Sequence, residues 1–134
     1  MFLYKDLTDK ILRACYNVHN GLGCGFFEKV YQEALAIELT EMSIPFEREK
    51  HLPINYHGKV LDCDYIADFV VDGKIILELK AVTEMNTLFE AQLINYMKAT
   101  HIKVGYLINF GQERLYYKRY ARYKSTDIKP NPNR

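Results

Sequence analysis

Residues 67–81 run Ala-Asp-Phe-Val-Val-Asp-Gly-Lys-Ile-Ile-Leu-Glu-Leu-Lys-Ala, with two apolar runs on either side of the turn signal Asp72-Gly73. This pattern predicts two antiparallel strands joined by a tight hairpin. The second strand carries Glu78 and Lys80, and because side chains alternate along a strand, both project from the same face. Charges are costly to bury in an apolar strand, so this pair indicates a functional site.

Whether Asp68 joins the pair depends on the length of the hairpin loop. A two-residue loop at Asp72-Gly73 would place Asp68 opposite Leu77 and send Glu78 to the other face. A three-residue loop with a glycine bulge would place Asp68 and Glu78 on the same face. We therefore predict the three-residue form, which brings Asp68, Glu78 and Lys80 together.

Two carboxylates and an ammonium on one apolar sheet require a compensating charge, and a divalent cation supplies it. Mg²⁺ prefers oxygen ligands and keeps positions for water and phosphate oxygens. We predict that Asp68 and Glu78 bind Mg²⁺ or Mn²⁺, and that Lys80 orients or deprotonates the attacking water and stabilises the transition state. Phosphodiester hydrolysis fits this arrangement. The alternative is a buried ion pair between Glu78 and Lys80, with Asp68 at an exposed strand end.

Outside this hairpin, apolar residues at three- and four-residue steps predict helices, and short β-rich runs predict strands. The predicted helices cover about residues 5–21, 26–42 and 83–101, and the strands about 46–56, 59–71, 75–81, 102–110 and 114–120. The order ααβββαββ predicts an α/β fold with a central mixed β-sheet flanked by helices. We predict a single domain over residues 1–123 and a flexible C-terminal tail over residues 124–134.

The composition is typical of one globular domain: 134 residues, 49% hydrophobic and 26% charged. No apolar run reaches the roughly 18 residues that a membrane span needs, and the charged N-terminus lacks a signal-peptide pattern. We therefore expect a cytoplasmic protein with no membrane partner. The three cysteines, an odd number without paired spacing, indicate neither a disulfide framework nor a zinc site.

Charge is distributed unevenly, although the net charge is only +1. Residues 98–134 contain nine basic and two acidic side chains, whereas residues 1–97 contain nine basic and fifteen acidic ones. The basic part could therefore face phosphates. We predict that Lys118 and Arg119, which lie among tyrosines, bind substrate. The alternative is an ordinary solvated edge, with the tyrosines packed in the sheet.

Several motifs along the chain resemble those of one known family. They are Gly25-Phe26-Phe27-Glu28-Lys29-Val30-Tyr31 followed by Gln32-Glu33-Ala34-Leu35, then Ala67-Asp68-Phe69, Ile76-Leu77-Glu78-Leu79-Lys80-Ala81, Glu90-Ala91-Gln92-Leu93-Ile94-Asn95-Tyr96 and Leu107-Ile108-Asn109-Phe110-Gly111. In this order they resemble the GxxExxY proteins, a branch of the PD-(D/E)XK nuclease superfamily, over about residues 5–120.

The resemblance implies a role for each matching residue. Asp68 and Glu78 would bind the metal and Lys80 would be the catalytic lysine. Glu28 would be the first-helix glutamate that reaches the metal site, often through water. Its predicted place near the start of a helix also suits an anion, because the helix dipole is positive there.

Gln92 and Tyr96 match the Gln-x3-Tyr helix motif of exonuclease-like branches, so the resemblance implies that both line the site and contact substrate or the catalytic lysine. Their spacing independently places them on one helix face.

The resulting hypothesis is a Mg²⁺-dependent nuclease that acts on nucleic acid, with DNA favoured over RNA. The alternative is a nucleic-acid-binding or protein-interaction module that keeps the nuclease fold without useful turnover. Specific DNA interfaces commonly bury on the order of 1,000 Å² or more of protein surface. A chain of this size could therefore need a second copy or a partner protein to grip a duplex.

Overall fold

A computed structural model describes residues 2–122 and 129–130. The helices are α1 (Lys5–Leu22), α2 (Glu28–Glu41) and α3 (Thr87–Thr100). The strands are β1 (Phe46–Tyr56), β2 (Lys59–Val71), β3 (Ile75–Lys80), β4 (Val104–Asn109), β5 (Tyr116–Ala121) and β6 (Lys129–Pro130). The predicted order ααβββαββ is therefore confirmed through β5.

The strands form one mixed sheet in the order β1-β2-β3-β4-β5-β6. Strands β3 and β4 are parallel, and α3 connects them, whereas all other neighbours are antiparallel. The short β6 adds two residues beside β5. It lies within the segment for which we predict a flexible tail, whose other residues, 124–128 and 131–134, lie outside the described part of the chain.

The β2–β3 hairpin has the predicted three-residue loop. Val71 pairs with Ile75, which leaves Asp72, Gly73 and Lys74 as the loop. Asp72 and Gly73 both have positive φ, 52° and 65°, and Gly73 adopts this left-handed conformation without steric cost. The same register brings Asp68 level with Glu78, as the parity argument requires.

Two hydrophobic clusters sandwich the sheet. The first contains buried residues of α1 and α2 packed on one face, and the second contains residues of α3 packed on the other. Strand β3 serves both, because Leu77 and Leu79 belong to the first cluster and Ile76 to the second. By this alternation, Glu78 and Lys80 belong to the α3 face.

Helices α2 and α3 are shorter at their ends than their apolar periodicity predicts, whereas α1 extends one residue further, to Leu22. Helix α3 begins at Thr87 rather than at residue 83, because the Asn86 side chain accepts a hydrogen bond from the Leu88 amide (2.8 Å) and caps the helix there. None of the helices in the described part of the chain is long and apolar enough to cross a membrane.

Candidate active site

Strands β2 and β3 separate at the level of Asp68 and Glu78. Their regular pairing extends from the hairpin loop only as far as Phe69 and Leu77. Beyond that point, the Asp68 amide donates to Glu78 Oε1 (3.2 Å), and the Leu79 amide donates to Asp68 Oδ2 (2.7 Å). The two carboxylates therefore replace the missing strand-to-strand hydrogen bonds, which holds them beside each other.

Strand β2 changes face at Asp68. Ala67 packs in the α3-side cluster but Phe69 packs in the opposite one, although residues two apart in a regular strand share a face. Across from Asp68, Glu49 of β1 has a positive φ of 47°, and this pair is missing from a register that is otherwise constant between Phe46 and Pro53. Both strands therefore bend at the level of the carboxylates.

The electrostatics of this position are unfavourable for two negative charges. Burial raises the pKa of Glu78 to about 7, and the neighbouring Asp68 carboxylate adds to the rise. Burial also raises the pKa of Asp68, while the hydrogen bond from the Leu79 amide and the charge on Lys80 lower it. A nearby cation would favour the ionised forms of both groups.

Tyr65 holds Glu78 from the α3 side. Its hydroxyl donates a short hydrogen bond to Glu78 Oε1. Its ring stacks on Tyr96 of α3, with 3.9 Å between centroids and 9° between planes. Burial, followed by the Glu78 charge, raises the pKa of Tyr65. Tyr65 was not among the predicted site residues. Tyr96 was predicted, and it is connected to Glu78 through its stack on Tyr65.

Lys80 points along the same face toward α3. Its Nζ lies 4.4 Å from the centroid of the Phe89 ring, a cation–π contact. Glu78 instead accepts hydrogen bonds from Tyr65 and from the Asp68 amide. The alternative of a buried Glu78–Lys80 ion pair therefore does not describe this site.

Glu28 is the first residue of α2, where the helix dipole favours a carboxylate. Surrounding protein atoms raise its pKa, the Asp68 carboxylate raises it further, and Lys80 lowers it. Glu28 therefore lies within electrostatic range of the carboxylates. No group of three or more His, Cys, Asp or Glu side chains within the described residues is close enough to hold a metal ion.

The glycine-rich segment before Glu28 is ordered by Tyr31. The Tyr31 hydroxyl donates to the Gly23 carbonyl (2.6 Å) and accepts from the Phe26 amide (3.3 Å). The ring is buried and stacks on Phe110, with 4.8 Å between centroids. Tyr31 thus has a structural task, to fix the start of the helix that carries Glu28.

The chain that leaves Lys80 is fixed by Asn109 and Gly111. The side-chain amide of the buried Asn109 accepts a hydrogen bond from the Val82 backbone N–H (3.0 Å) and donates one to the Val82 carbonyl (2.9 Å). A Cβ at Gly111 would collide with the Ala81–Val82 backbone, so only glycine permits this close approach. The end of β3 is therefore held in place beside the carboxylates.

Gln92 is exposed on α3, one turn before Tyr96. Gln92 forms no hydrogen bond with another side chain of residues 2–122. Its contact with substrate therefore stays a prediction.

The two residues of β5 that were predicted to bind substrate, Lys118 and Arg119, have different surroundings. Lys118 is partly exposed and pairs with Glu90 (3.0 Å), so its contact with phosphate stays a prediction. The prediction was wrong for Arg119, which is fully buried on the other face. Its guanidinium donates to the Leu3 carbonyl (2.8 Å) and the Tyr106 hydroxyl (3.2 Å), so it cannot meet a phosphate. Alternation along the strand was the available signal, because adjacent residues face opposite sides.

The fold and the arrangement of carboxylates define a nuclease-like α/β domain. The profile of the PD-(D/E)XK nuclease superfamily matches residues 5–120, and the chain belongs to this superfamily. Proteins of this superfamily are usually nucleases and generally use divalent metals. None of the curated proteins compared with the chain matches it.

A crystal structure of the protein SSO0001 is similar in fold, with a TM-score of 0.51 and 21% sequence identity. The similarity covers 69% of this chain and 48% of the SSO0001 chain, so this chain corresponds to about half the length of that protein.

Proposed function

We propose that this chain is a divalent-metal-dependent nuclease of the GxxExxY branch, which hydrolyses phosphodiester bonds in nucleic acid. The observation that supports the proposal most is the pair Asp68 and Glu78, two half-buried carboxylates held together where β2 and β3 separate. Among residues 2–122, neither carboxylate forms an ion pair with a basic side chain. The pair therefore lacks a directly bonded counter-charge, although the charge on Lys80 acts on both carboxylates.

The donor set fits Mg²⁺ or Mn²⁺, which prefer carboxylate oxygens. Asp68 and Glu78 would hold the cation, and Glu28 would support it from the start of α2. Such a cation, when bound, lowers the pKa of a water molecule and offsets charge on the phosphate. Lys80 would orient the attacking water and stabilise the developing negative charge, since its ammonium lies on the same face as Glu78.

Substrate would lie along the α3 face of the sheet. Gln92 and Tyr96 project from α3, and Lys118 lies on the neighbouring β5. We propose DNA before RNA as the substrate, and a second copy or a partner protein to supply further grip on a duplex. Arg119 is not part of this proposal, because it is buried in the core.

The experiment is a cleavage assay on single- and double-stranded DNA and RNA, with Mg²⁺, Mn²⁺ or EDTA. Wild type is compared with Glu78→Gln and Asp68→Asn. The matched control is Glu38→Gln, a carboxylate of α2 that accepts a hydrogen bond from the Asn17 side chain (2.9 Å). We expect metal-dependent cleavage by wild type and Glu38→Gln, and loss of at least about 100-fold in the two site variants.

Equal cleavage by wild type and Glu78→Gln would indicate a contaminating nuclease and contradict the proposal. Metal-dependent binding of nucleic acid without cleavage of any substrate would instead support a binding module that keeps the nuclease fold.

A further inference from the structure

We propose that Tyr65 is a positioning residue of the metal site, which anchors one oxygen of Glu78 so that the other oxygen faces the cation. The inference rests on the proposed function, because it concerns how Glu78 acts as a ligand. It assigns Tyr65 a role that no sequence motif of the chain indicates.

Each of the two carboxylates has one anchored oxygen. Glu78 Oε1 accepts from the Tyr65 hydroxyl and from the Asp68 amide, and Asp68 Oδ2 accepts from the Leu79 amide. Within residues 2–122, Glu78 Oε2 and Asp68 Oδ1 accept no hydrogen bond. One oxygen of each carboxylate is therefore committed to the protein, and the other is available to a ligand.

The anchor itself is rigid. Tyr65 is only 5% exposed, and its ring is stacked almost parallel on Tyr96, 3.9 Å away. The ring cannot rotate without disrupting this stack, so the hydroxyl has one position relative to Glu78. Tyr65 of β2 thereby joins Glu78 of β3 to α3. Partners that orient a metal ligand in this way typically change metal affinity or activity by about 10- to 100-fold when removed.

The chain contains a matched control for this interaction. The Tyr120 hydroxyl also donates a short hydrogen bond to a glutamate, Glu90 of α3, on the same side of the sheet. Glu90 pairs with Lys118 and lies outside the proposed metal site. Tyr65→Phe and Tyr120→Phe therefore remove the same chemical group from equivalent Tyr–Glu contacts, but only the first is next to a proposed metal ligand.

The experiment measures Mn²⁺ binding directly, from the loss of the free-ion electron paramagnetic resonance signal, in the absence of nucleic acid. Cleavage is then followed as a function of Mn²⁺ concentration. We expect Tyr65→Phe to weaken Mn²⁺ binding by about tenfold or more, and Tyr120→Phe to leave it within about twofold of wild type. Excess Mn²⁺ should restore most of the cleavage rate of Tyr65→Phe, a rescue that a purely structural role would not give.

Circular dichroism establishes that each variant is folded, and Tyr65→Leu, which also removes the stack on Tyr96, should bind no more tightly than Tyr65→Phe. If wild type binds Mn²⁺ and Tyr65→Phe binds it equally well, the positioning role is overturned and the proposed nuclease function stands. If wild type binds no Mn²⁺ and cleaves nothing, both proposals fail together.

Discussion

The sheet carries two tyrosine–glutamate contacts on its α3 face, and they differ in their surroundings. In the first, Tyr65 donates to Glu78 beside Asp68. In the second, which we name the β5 cluster, Tyr120 donates to Glu90 beside Lys118. Burial and Asp68 raise the pKa of Glu78 to about 7, whereas the Tyr120 hydrogen bond and Lys118 lower the pKa of Glu90.

Charge balance distinguishes the candidate site from the structural contact. The β5 cluster is electrically complete, because a lysine ammonium 3.0 Å from Glu90 balances its charge. Glu78 forms no ion pair with a basic side chain of residues 2–122: its neighbour Asp68 is also a carboxylate, and the Lys80 ammonium lies over the Phe89 ring. The same tyrosine–glutamate contact is thus a charge-balanced structural interaction in one place and an incomplete ligand set in the other.

The largest effect that separates the two regions is expected at Lys80. Lys80→Ala should lower the cleavage rate by at least about 100-fold, because its ammonium acts mainly in the transition state. Nucleic-acid affinity, titrated in Ca²⁺, should stay within a few fold of wild type. The matched control is Lys98→Ala, an exposed lysine in the last turn of α3.

Lys118→Ala should instead weaken binding to all sequences and lower the salt dependence by about one unit of slope, if this lysine contacts a phosphate. Cleavage by Lys80→Ala at the wild-type rate would remove the distinction between the site and the β5 cluster.

Arg119 gives the next largest effect, on stability. It adjoins Lys118 in β5 but projects into the opposite cluster, where it bonds Leu3 and Tyr106. Arg119→Ala should lower the free energy of unfolding by about 3 kcal/mol, because it removes the hydrogen bonds to the Leu3 carbonyl and the Tyr106 hydroxyl together with the packing of a buried side chain. Urea denaturation measures this loss. Lys118→Ala should cost less than about 1 kcal/mol, as a partly exposed ion pair does.

A stable Arg119→Ala protein with weaker nucleic-acid binding and a lower salt slope would restore the phosphate-binding role that the structure argues against.

Metal binding should give a smaller, selective stabilisation. At roughly ten times its dissociation constant, a cation that binds only the folded state stabilises it by about 1.4 kcal/mol. We expect Mg²⁺ or Mn²⁺ to raise the melting temperature of wild type and of Glu90→Gln, but not of Glu78→Gln. The measurement is thermal unfolding with increasing metal. An equal rise in wild type and Glu78→Gln would place the cation elsewhere.

The fold and the central pair of carboxylates were predictable because both follow from period and parity. The alternation of β3 places Glu78 and Lys80 on one face, and the three-residue loop brings Asp68 level with Glu78. These arguments need only the spacing of residues along the chain. They succeed wherever the strands remain regular.

Tyr65 could not be predicted in this way. It lies three residues before Asp68, and an odd separation places two residues on opposite faces of a regular strand. Only the change of face in β2, at the level of Glu49 and Asp68, allows both to meet Glu78. That bend coincides with the point where β2 and β3 separate, a tertiary feature without a local sequence signal.

The position of Glu28 shows a second limit. Its place at the start of α2 follows from the sequence, but its distance from the carboxylates depends on how α2 packs against the sheet. For Arg119, in contrast, the sequence already contained the answer. Strand alternation places it on the opposite face of the sheet from Lys118, and only its basic charge favoured a phosphate contact.

The smallest expected effect tests the β5 cluster itself, through the pH dependence of stability. The Tyr120 hydrogen bond and Lys118 lower the pKa of Glu90 from its ordinary value of 4.5. The folded state therefore holds the proton less tightly than the unfolded state, so the contribution is present above pH 4.5 and is lost as the pH falls through the lower folded pKa. Since Glu90 is near the surface, the loss should stay below about 1 kcal/mol. Urea denaturation at pH 6 and pH 3 measures it: wild type should lose more stability than Glu90→Gln, and Tyr120→Phe should fall between them. Identical losses in wild type and Glu90→Gln would show that Tyr120 and Lys118 do not stabilise the ionised form of Glu90. The β5 cluster would then not be a charge-balanced counterpart of the Glu78 site.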